Sequence, residues 1–592
     1  MQPPGDRGRA PGARSAARPP SGAPEVRGAP EVRGAPEKAP SGLEPLSSLD
    51  ALFLGAETSA MPMHMVAVVV VEPGSTGLRV ADVRQMVAGR LHAVPRLRRR
   101  AVPTPFGVDH AVWVDDPDLD LDHHVRAAAL PRPGGPAELA AYLGDLAGCP
   151  LDPARPLWQL IVLEGLESGH VALVVKVHHA LFDGVRGLSV LAGLFDLDPT
   201  GPAAAGDPRS TGDRPSGGRA PSAVPGRTSL PGVADLLALS ARRWICRPWS
   251  AADAVAGTYL AMRTMAHEHP QASPAPGTSE AGEPATTGRG AGGPAGDGRG
   301  AEASRGHEEA RRGGSTPPAR SWSGGPRPFG GPRAPWNGTI AAQRSMAMVD
   351  VPLEDLRMVA RVVGATVNDV LLAGVGGALR RRLVLAGAAP GPGSRPLLAM
   401  VPVSARRPCS PGDRPAAEEG LPATSAGVAG NELSAMVVSL ATDVTDPLSR
   451  LRAVAASSER AKTQLTSIPG GVVAAWAELA VPAVATRLAR LAGNLQLFDR
   501  LPPLANVVVS DVVGPEVPLW CAGRRVLAIY PFGPVADGIG LNITAVSYGP
   551  SLGIGLSSCR RLLPDLAELA TDLGDSLGEL TRRAAATRHS SS

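Results

Sequence analysis

The sequence predicts an α/β protein of two folded regions set among segments too rich in glycine and proline to build a core. Two observations carry that expectation. The apolar run Val171-Ala-Leu-Val-Val-Lys-Val177 reads as a buried strand, and Gly187 to Phe195, beyond a short connection, reads as a helix, so strand and helix follow one another. The 592 residues exceed one ordinary core, yet glycine and proline supply 131 of them (70 plus 61), gathered in a few stretches.

Residues 1–43 carry GAPEVR twice in tandem, at 22–27 and 28–33, then GAPE at 34–37. With no apolar stripe to bury, this tail is expected to be disordered. It lacks the continuous apolar core of a secretory signal peptide, so it is no export signal by pattern. Residues 44–200 form the first folded region. A disordered linker is expected over 201–230 and a disordered insertion over 271–333, both rich in Pro, Gly, Ser and Arg. Between them, 231–270 carries a helical pattern with Trp244, Trp249 and Met262 and reads as a connector. Residues 334–585 form the second folded region, and 586–592 a tail.

His178-His179-Ala180-Leu181-Phe182-Asp183-Gly184 lies at the end of the predicted strand, on the connection to the helix. Such connections hold reactive side chains on rigid supports. This HHxxxDG spacing is the pattern of acyl transfer from a thioester. Moving an acyl group to an alcohol requires a group that takes the hydroxyl proton, and an imidazole with a pKa of about 6.5 suits that near neutrality. Neighbouring side chains of a strand point to opposite faces, so His178 and His179 do not both face one substrate. His179 is the better candidate for the general base, and His178 packs or orients the loop. Asp183 fits a structural salt bridge or turn hydrogen bond better than catalysis. Gly184 completes the motif. The pair His123-His124 lacks the downstream Asp-Gly, so no chemical role is expected for it.

Thr366 followed by Asp369 forms a capping-box start, which makes Val367 onward helical with Asn368 in the first turn. An amide and free backbone donors there could face a developing oxyanion; alternatively Asn368 only completes the cap. Asp369 is expected to be structural.

Lys38, Lys176 and Lys462 are the only lysines beside 56 arginines, a bias of GC-rich bacterial genomes, and the net charge of +4 is modest. No nucleic-acid partner is expected on that basis. Arg-rich strings at Arg96 to Arg100 and Arg380 to Arg382 follow helical segments, where cations favour the dipole; the other reading is a role in holding CoA phosphates or anionic lipid. Cys149, Cys246, Cys409, Cys521 and Cys559 are far apart and form no CxxC pair, so neither a metal site nor a disulfide scaffold is expected, and a reducing cytoplasm is the default. No run reaches the ~20 apolar residues that span a bilayer. Residues 470–495 come nearest, interrupted by Glu478, Pro482, Arg487 and Arg490; a membrane-surface segment and a packed helix are equally good readings.

Read outward from HHxxxDG, the chain resembles the bacterial wax ester synthase/diacylglycerol acyltransferase family, within the condensation and chloramphenicol-acetyltransferase-like superfamily. The resemblance covers 44–200 and 334–585. Leu46-Ser-Ser-Leu-Asp-Ala-Leu-Phe53 is similar to the family's opening segment, and Leu91-His-Ala-Val-Pro-Arg96 to the end of its first helix. Leu151-Asp-Pro-Ala-Arg-Pro-Leu-Trp158 matches its PLW element, Gly364 to Ala373 its NDVxLA element, and Pro534 to Thr544 a late segment. Ser510-Asp-Val-Val-Gly-Pro515 departs from the usual SNVPGP, with Asp511 for Asn and Val513 for Pro. An ionised Asp cannot donate, which bears on efficiency or acceptor choice.

The resemblance implies two chloramphenicol-acetyltransferase-like α/β subdomains with a tunnel between them passing His179, acyl-CoA entering from one side and the acceptor from the other. It implies esterification of diacylglycerol to triacylglycerol, and of long-chain alcohols to wax esters, with no cofactor because acyl-CoA is a substrate. Peripheral attachment to the inner membrane face or lipid droplets goes with such partners. Two alternatives stay open: a same-fold acyltransferase for a polyketide or glycolipid hydroxyl, and a non-catalytic lipid-droplet binding protein.

Overall fold

The computed structural model describes residues 43–74, 77–182, 193–199, 230–245, 326, 328–404, 433–467, 487, 491, 493 and 495–590. The expected tail over 1–43 thus falls outside the described residues except for Leu43, and so do Asp183, Gly184, most of the helix expected from Gly187, the linker over 201–230 except Leu230, nearly all of the insertion over 271–333, and most of 470–495.

The first folded region opens with β1 (Glu44–Pro45), α1 (Ser48–Ala56) and β2 (His64–Val71). Next come α2 (Val80–Arg90), β3 (Arg99–Val102), β4 (Val112–Asp115), α3 (Leu121–His124), β5 (Val125–Ala129), α4 (Pro136–Gly148), β6 (Trp158–Glu164) and β7 (Val171–His178). A helix α5 over 233–245 lies within the span read as a connector, of which 246–270, with Trp249 and Met262, falls outside the described residues; its Leu236 packs against Val112 and Val114. The second region comprises β8 (Arg344–Pro352), α6 (Leu353–Val363), α7 (Val367–Leu385), β9 (Leu398–Ser404), β10 (Leu433–Ser439), α8 (Pro447–Ser467), β11 (Val507–Val512), β12 (Trp520–Cys521), β13 (Arg524–Phe532), β14 (Leu541–Tyr548), β15 (Ser551–Cys559) and α9 (Leu566–Ser590).

These strands make a small sheet, β1-β4-β3, and two six-stranded mixed sheets, β12-β13-β2-β7-β6-β5 and β10-β9-β11-β14-β15-β8. The α/β class expected from the sequence is therefore the one observed. The first large sheet takes strands from both regions, since β13 pairs antiparallel with β2 from Val526↔Val71 to Phe532↔Val66. Strand β7 sits inside this sheet between β2 and β6, which explains why its apolar residues do not alternate with polar ones: both faces are covered. Odd-numbered Val171, Leu173 and Val175 join a core with α1 and α2 residues, whereas Ala172 and Val174 join a second core with Leu139 and Leu143 of α4 and Met346 of β8. Lys176 is buried on that second face, and its Nζ donates to the carbonyls of Leu146 and, 2.8 Å and closer, of Cys149 at the C-terminal end of α4.

The second large sheet carries α6 to α9, whose apolar faces share one core with Val507, Val509, Ile543 and Ile554. The sheets meet where β13 crosses β15. There a Cβ on Gly553 would stand 2.1 Å from the Ile529 carbonyl oxygen, and one on Gly555 2.0 Å from that of Pro531. Only glycine permits so close a backbone approach.

The Arg-rich strings meet acidic partners on neighbouring elements. Arg381 and Arg382 pair across helices with Asp572, Asp575 and Glu568 of α9, and Arg96 and Arg99 with Glu44, Asp50 and Asp115. Arg382 also stands in the last turn of α7, where a cation favours the dipole. Among the described residues no single helix is long and apolar enough to cross a membrane.

Candidate active site

Strand β7 ends by delivering the two histidines to different surroundings, as alternation requires. The register pairs His178 with His64 across β2, and the backbone N–H of His179 donates to the Met63 carbonyl at 2.8 Å, so the ladder runs one residue past the strand.

The His179 ring lies against Phe53 of α1, ring centroids 4.1 Å apart and planes inclined by 28°. Burial depresses its pKa to about 4, against which a hydrogen bond to its own backbone works in the opposite direction. The imidazole is therefore neutral near pH 7, the form able to accept a proton.

His178 faces the opposite side of the sheet and is fully buried. Its Nδ1 accepts from the Ala180 N–H at 3.0 Å, which leaves Nε2 to carry the proton, 3.5 Å from Glu57 Oε2. The other Glu57 oxygen lies 3.0 Å from His64 Nε2. Glu57 follows α1 directly, and a turn closed by Thr58 and Met61 brings the chain back to β2. Burial alone would raise the Glu57 pKa, but the hydrogen bonds and charges of His178 and His64 outweigh it and hold the carboxylate well below its usual range. Burial lowers His64 to about 4. Its imidazole is thus neutral at neutral pH, and hydrogen bonding does more for Glu57 than charge.

Glu57, His64 and His178 offer ligand atoms all within 4.8 Å of one another, a set that could hold a metal ion. None of the three except His178 stands out in the sequence. His64 and His178 meet only through the antiparallel register, and Phe53 and Glu57 only through the position of α1.

The PLW element supports the same strand end: the Leu157 carbonyl accepts from His178 N at 3.0 Å, and Trp158 Nε1 donates to the Leu97 carbonyl at 2.7 Å. The pair His123-His124 splits as well; His124 is buried, stacks on Trp158 with centroids 4.4 Å apart, and its Nδ1 lies 2.8 Å from the Trp158 carbonyl. These contacts are those of a packing residue.

At the start of α7 the capping box is present. Thr366 Oγ1 accepts from Asp369 N at 3.2 Å, and Asp369 Oδ2 accepts from Thr366 N at 3.0 Å. The cap is complete without Asn368, whose Oδ1 is buried with no hydrogen-bond partner among the described residues. Asp511 lies on β11 opposite Ala545, on the same strand face as Val507 and Val509, and burial pushes its carboxyl pKa up to about 6.

Comparison with known proteins agrees with this architecture. The model of the wax ester synthase/diacylglycerol acyltransferase catalytic domain matches residues 46–270 and 249–371, and that of the family's C-terminal domain matches 429–581. A provisionally named diacylglycerol O-acyltransferase of Mycobacterium tuberculosis is 30% identical over 544 residues, covering 91% of this chain and 90% of that protein. One from Mycobacterium bovis is 32% identical over 537 residues, covering 90% of each. Among solved structures, the wax ester synthase/diacylglycerol acyltransferase from Marinobacter aquaeolei is 23% identical, with a TM-score of 0.54, over 91% of this chain and 100% of that one; this likeness is one of fold.

Proposed function

The chain belongs to the wax ester synthase/diacylglycerol acyltransferase family and is an acyltransferase; from that premise we propose that it transfers long-chain acyl groups from CoA to diacylglycerol, and also to long-chain alcohols, with His179 as general base. The observation that carries this reading is the placement of His179 at the end of β7, its backbone N–H held by Met63 and its ring lying on Phe53.

In the proposed reaction His179 accepts the acceptor's hydroxyl proton while the oxygen attacks the thioester carbonyl. The tetrahedral intermediate then breaks its C–S bond, and the imidazolium returns the proton to the departing thiolate, giving ester and free CoA. No acyl-enzyme forms, so no nucleophilic Ser or Cys is required. Desolvation of the ring serves the step by keeping the base deprotonated. Asn368 is assigned to the oxyanion, since the cap is complete without its side chain. Its Nδ2 is the donor such a role needs. Asp183 and Gly184 keep the structural role the motif suggests. Long acyl chains add affinity at about 0.8 kcal/mol per buried methylene, so a neutral acceptor needs no charged pocket. A peripheral position at a membrane or droplet surface, where such substrates reside, goes with this reading.

The test is turnover by the purified full-length protein with palmitoyl-CoA and either diacylglycerol or hexadecanol, scored by product. Triacylglycerol, with wax ester from hexadecanol, is expected, and His179→Ala should lose about 10²–10⁴-fold of it. A folded His179→Ala protein that keeps most of its activity overturns the base assignment. Turnover only on a polyketide or glycolipid hydroxyl overturns the acceptor.

A further inference from the structure

We propose that Glu57, with His64 as its second partner, is a positioning residue for the reaction: it fixes the His178 ring and thereby the backbone on both sides of His179. The proposal rests on His179 being the base but concerns residues to which that reading gives no role.

Three connections converge on one carboxylate. Glu57 Oε2 faces His178 Nε2 at 3.5 Å, and the same ring accepts from the Ala180 N–H through Nδ1 at 3.0 Å. Oε1 faces His64 Nε2 at 3.0 Å and also the Met63 N–H at 3.4 Å. The Met63 carbonyl in turn accepts the N–H of His179. Residues 178 and 180, which flank His179, and Met63, which holds its N–H, are all tied to Glu57 directly or through one ring.

The chemistry calls for an acceptor at this point. An imidazole whose Nδ1 accepts a backbone N–H must carry its proton on Nε2. With His178 fully buried, that proton needs an acceptor inside the fold, since an unmet donor costs its whole desolvation energy. A carboxylate offers one oxygen to each ring and donates to neither. Were Nδ1 protonated instead, it would confront the Ala180 N–H, and the turn that follows His179 would have to move.

Glu57 is also the residue that ends α1, the helix carrying Phe53. One rigid element therefore holds the His179 ring through Phe53 and its backbone through Glu57. A divalent cation on Glu57, His64 and His178 is the competing occupant. Against it, the Ala180 N–H on His178 Nδ1 leaves the ring proton on Nε2, the atom that would have to be bare to bind a metal beside Glu57.

The test uses the whole protein with ¹⁵N-labelled histidine, together with kinetics. In the unaltered protein the His178 ring should show a protonated Nε2 and a bare, hydrogen-bonded Nδ1. Glu57→Ala should erase that signature and lower kcat roughly 10²-fold, as a small misplacement of a catalytic group does, with KM for acyl-CoA changed less than about twofold because binding is not touched. Glu57→Gln keeps one carbonyl for His178 Nε2–H and should recover most of the loss. The proposal is overturned by a protonated His178 Nδ1 in the unaltered protein, which requires no variant to fold. Wild-type kcat in a folded Glu57→Ala protein, or stoichiometric zinc in the purified enzyme, would overturn it as well. If His179→Ala instead remains active while the His178 signature is as stated, the base assignment has failed and the positioning network has not.

Discussion

Phe53 lies over His179 at 4.1 Å between ring centroids. The contact joins the opening segment of the chain to the thioester motif and gives the imidazole an apolar wall on one face. An aromatic wall has two effects that separate experimentally. It restricts the ring's rotamers, and it keeps water from solvating the imidazolium, which is part of why burial holds the pKa near 4.

Phe53→Ala should therefore lower kcat by about tenfold through lost orientation. It should also move the acid limb of the kcat/KM profile upward, from about pH 4 toward the free imidazole value of about 6.5. A pH–rate series on the purified variant checks both. Reduced kcat with an unmoved limb would leave orientation as the sole role of Phe53.

The two depressed imidazoles make stability depend on pH. Burial holds His64 and His179 at pKa values of about 4 in the fold against an ordinary value of 6.5, so the unfolded chain binds protons that the fold refuses between those limits. Their contribution is intact above pH 6.5 and is lost as pH falls from there through 4, with Glu57, also depressed, adding loss below its ordinary value of 4.5. Melting temperatures recorded from pH 8 to pH 4 should fall mainly below 6.5. His64→Gln, which keeps an amide for Glu57 but cannot titrate, should flatten part of that slope.

Asp511 works with the opposite sign. Its pKa is raised from 3.8 to about 6 by burial, so the folded state favours the protonated acid and loses stability as pH rises from 4 through 6. Asp511→Asn removes the charge, and the gain should be at most about 3 kcal/mol, the equivalent of the shift. Denaturant titrations should show it at pH 8 and much less of it at pH 4. Equal stability of both proteins at pH 8 would mean the carboxylate is solvated. The variant also restores the amide usual in the family, and assays with several acceptors will read any change in acceptor choice.

Gly555→Ala places a methyl carbon 2.0 Å from the Pro531 oxygen, so one of the crossing strands must shift. Overpacking of this kind costs about 1–3 kcal/mol in a core and more where backbone opposes backbone. A lower melting temperature, or insoluble protein, is expected. Gly549→Ala, at a position with open space but a φ of 55°, is the control for backbone strain without collision and should cost less.

What the sequence made legible was local. The strand expected over 171–177 ends one residue later at His178, and the capping box at Thr366 and Asp369 formed as written, because both depend on neighbours within a few residues. The opposite orientations of His178 and His179 followed from strand geometry alone. Glu57 and His64 stayed hidden, although they lie close to Phe53 in an element that had drawn notice. Their significance comes from the pairing of β2 with β7, and no spacing within either strand reports which residues will face each other. The acidic partners of the arginine strings, on α9 and around Glu44 and Asp115, stayed hidden for the same reason: they come from elsewhere in the chain.

The antiparallel pairing of Val71 with Val526 sets an order of events in the life of the molecule. A ribosome that has finished β7 has released four neighbours of the first large sheet, β2, β7, β6 and β5, but the strand that covers β2 is still hundreds of codons away. Until it arrives, β2 presents an unpaired edge of valines, the kind of surface that recruits other chains. Synthesis of this enzyme thus includes a long interval in which the strand bearing His64 has one partner too few. Slow translation should favour aggregates nucleated by that edge, and a holdase that shields extended apolar strands should raise the yield of active enzyme.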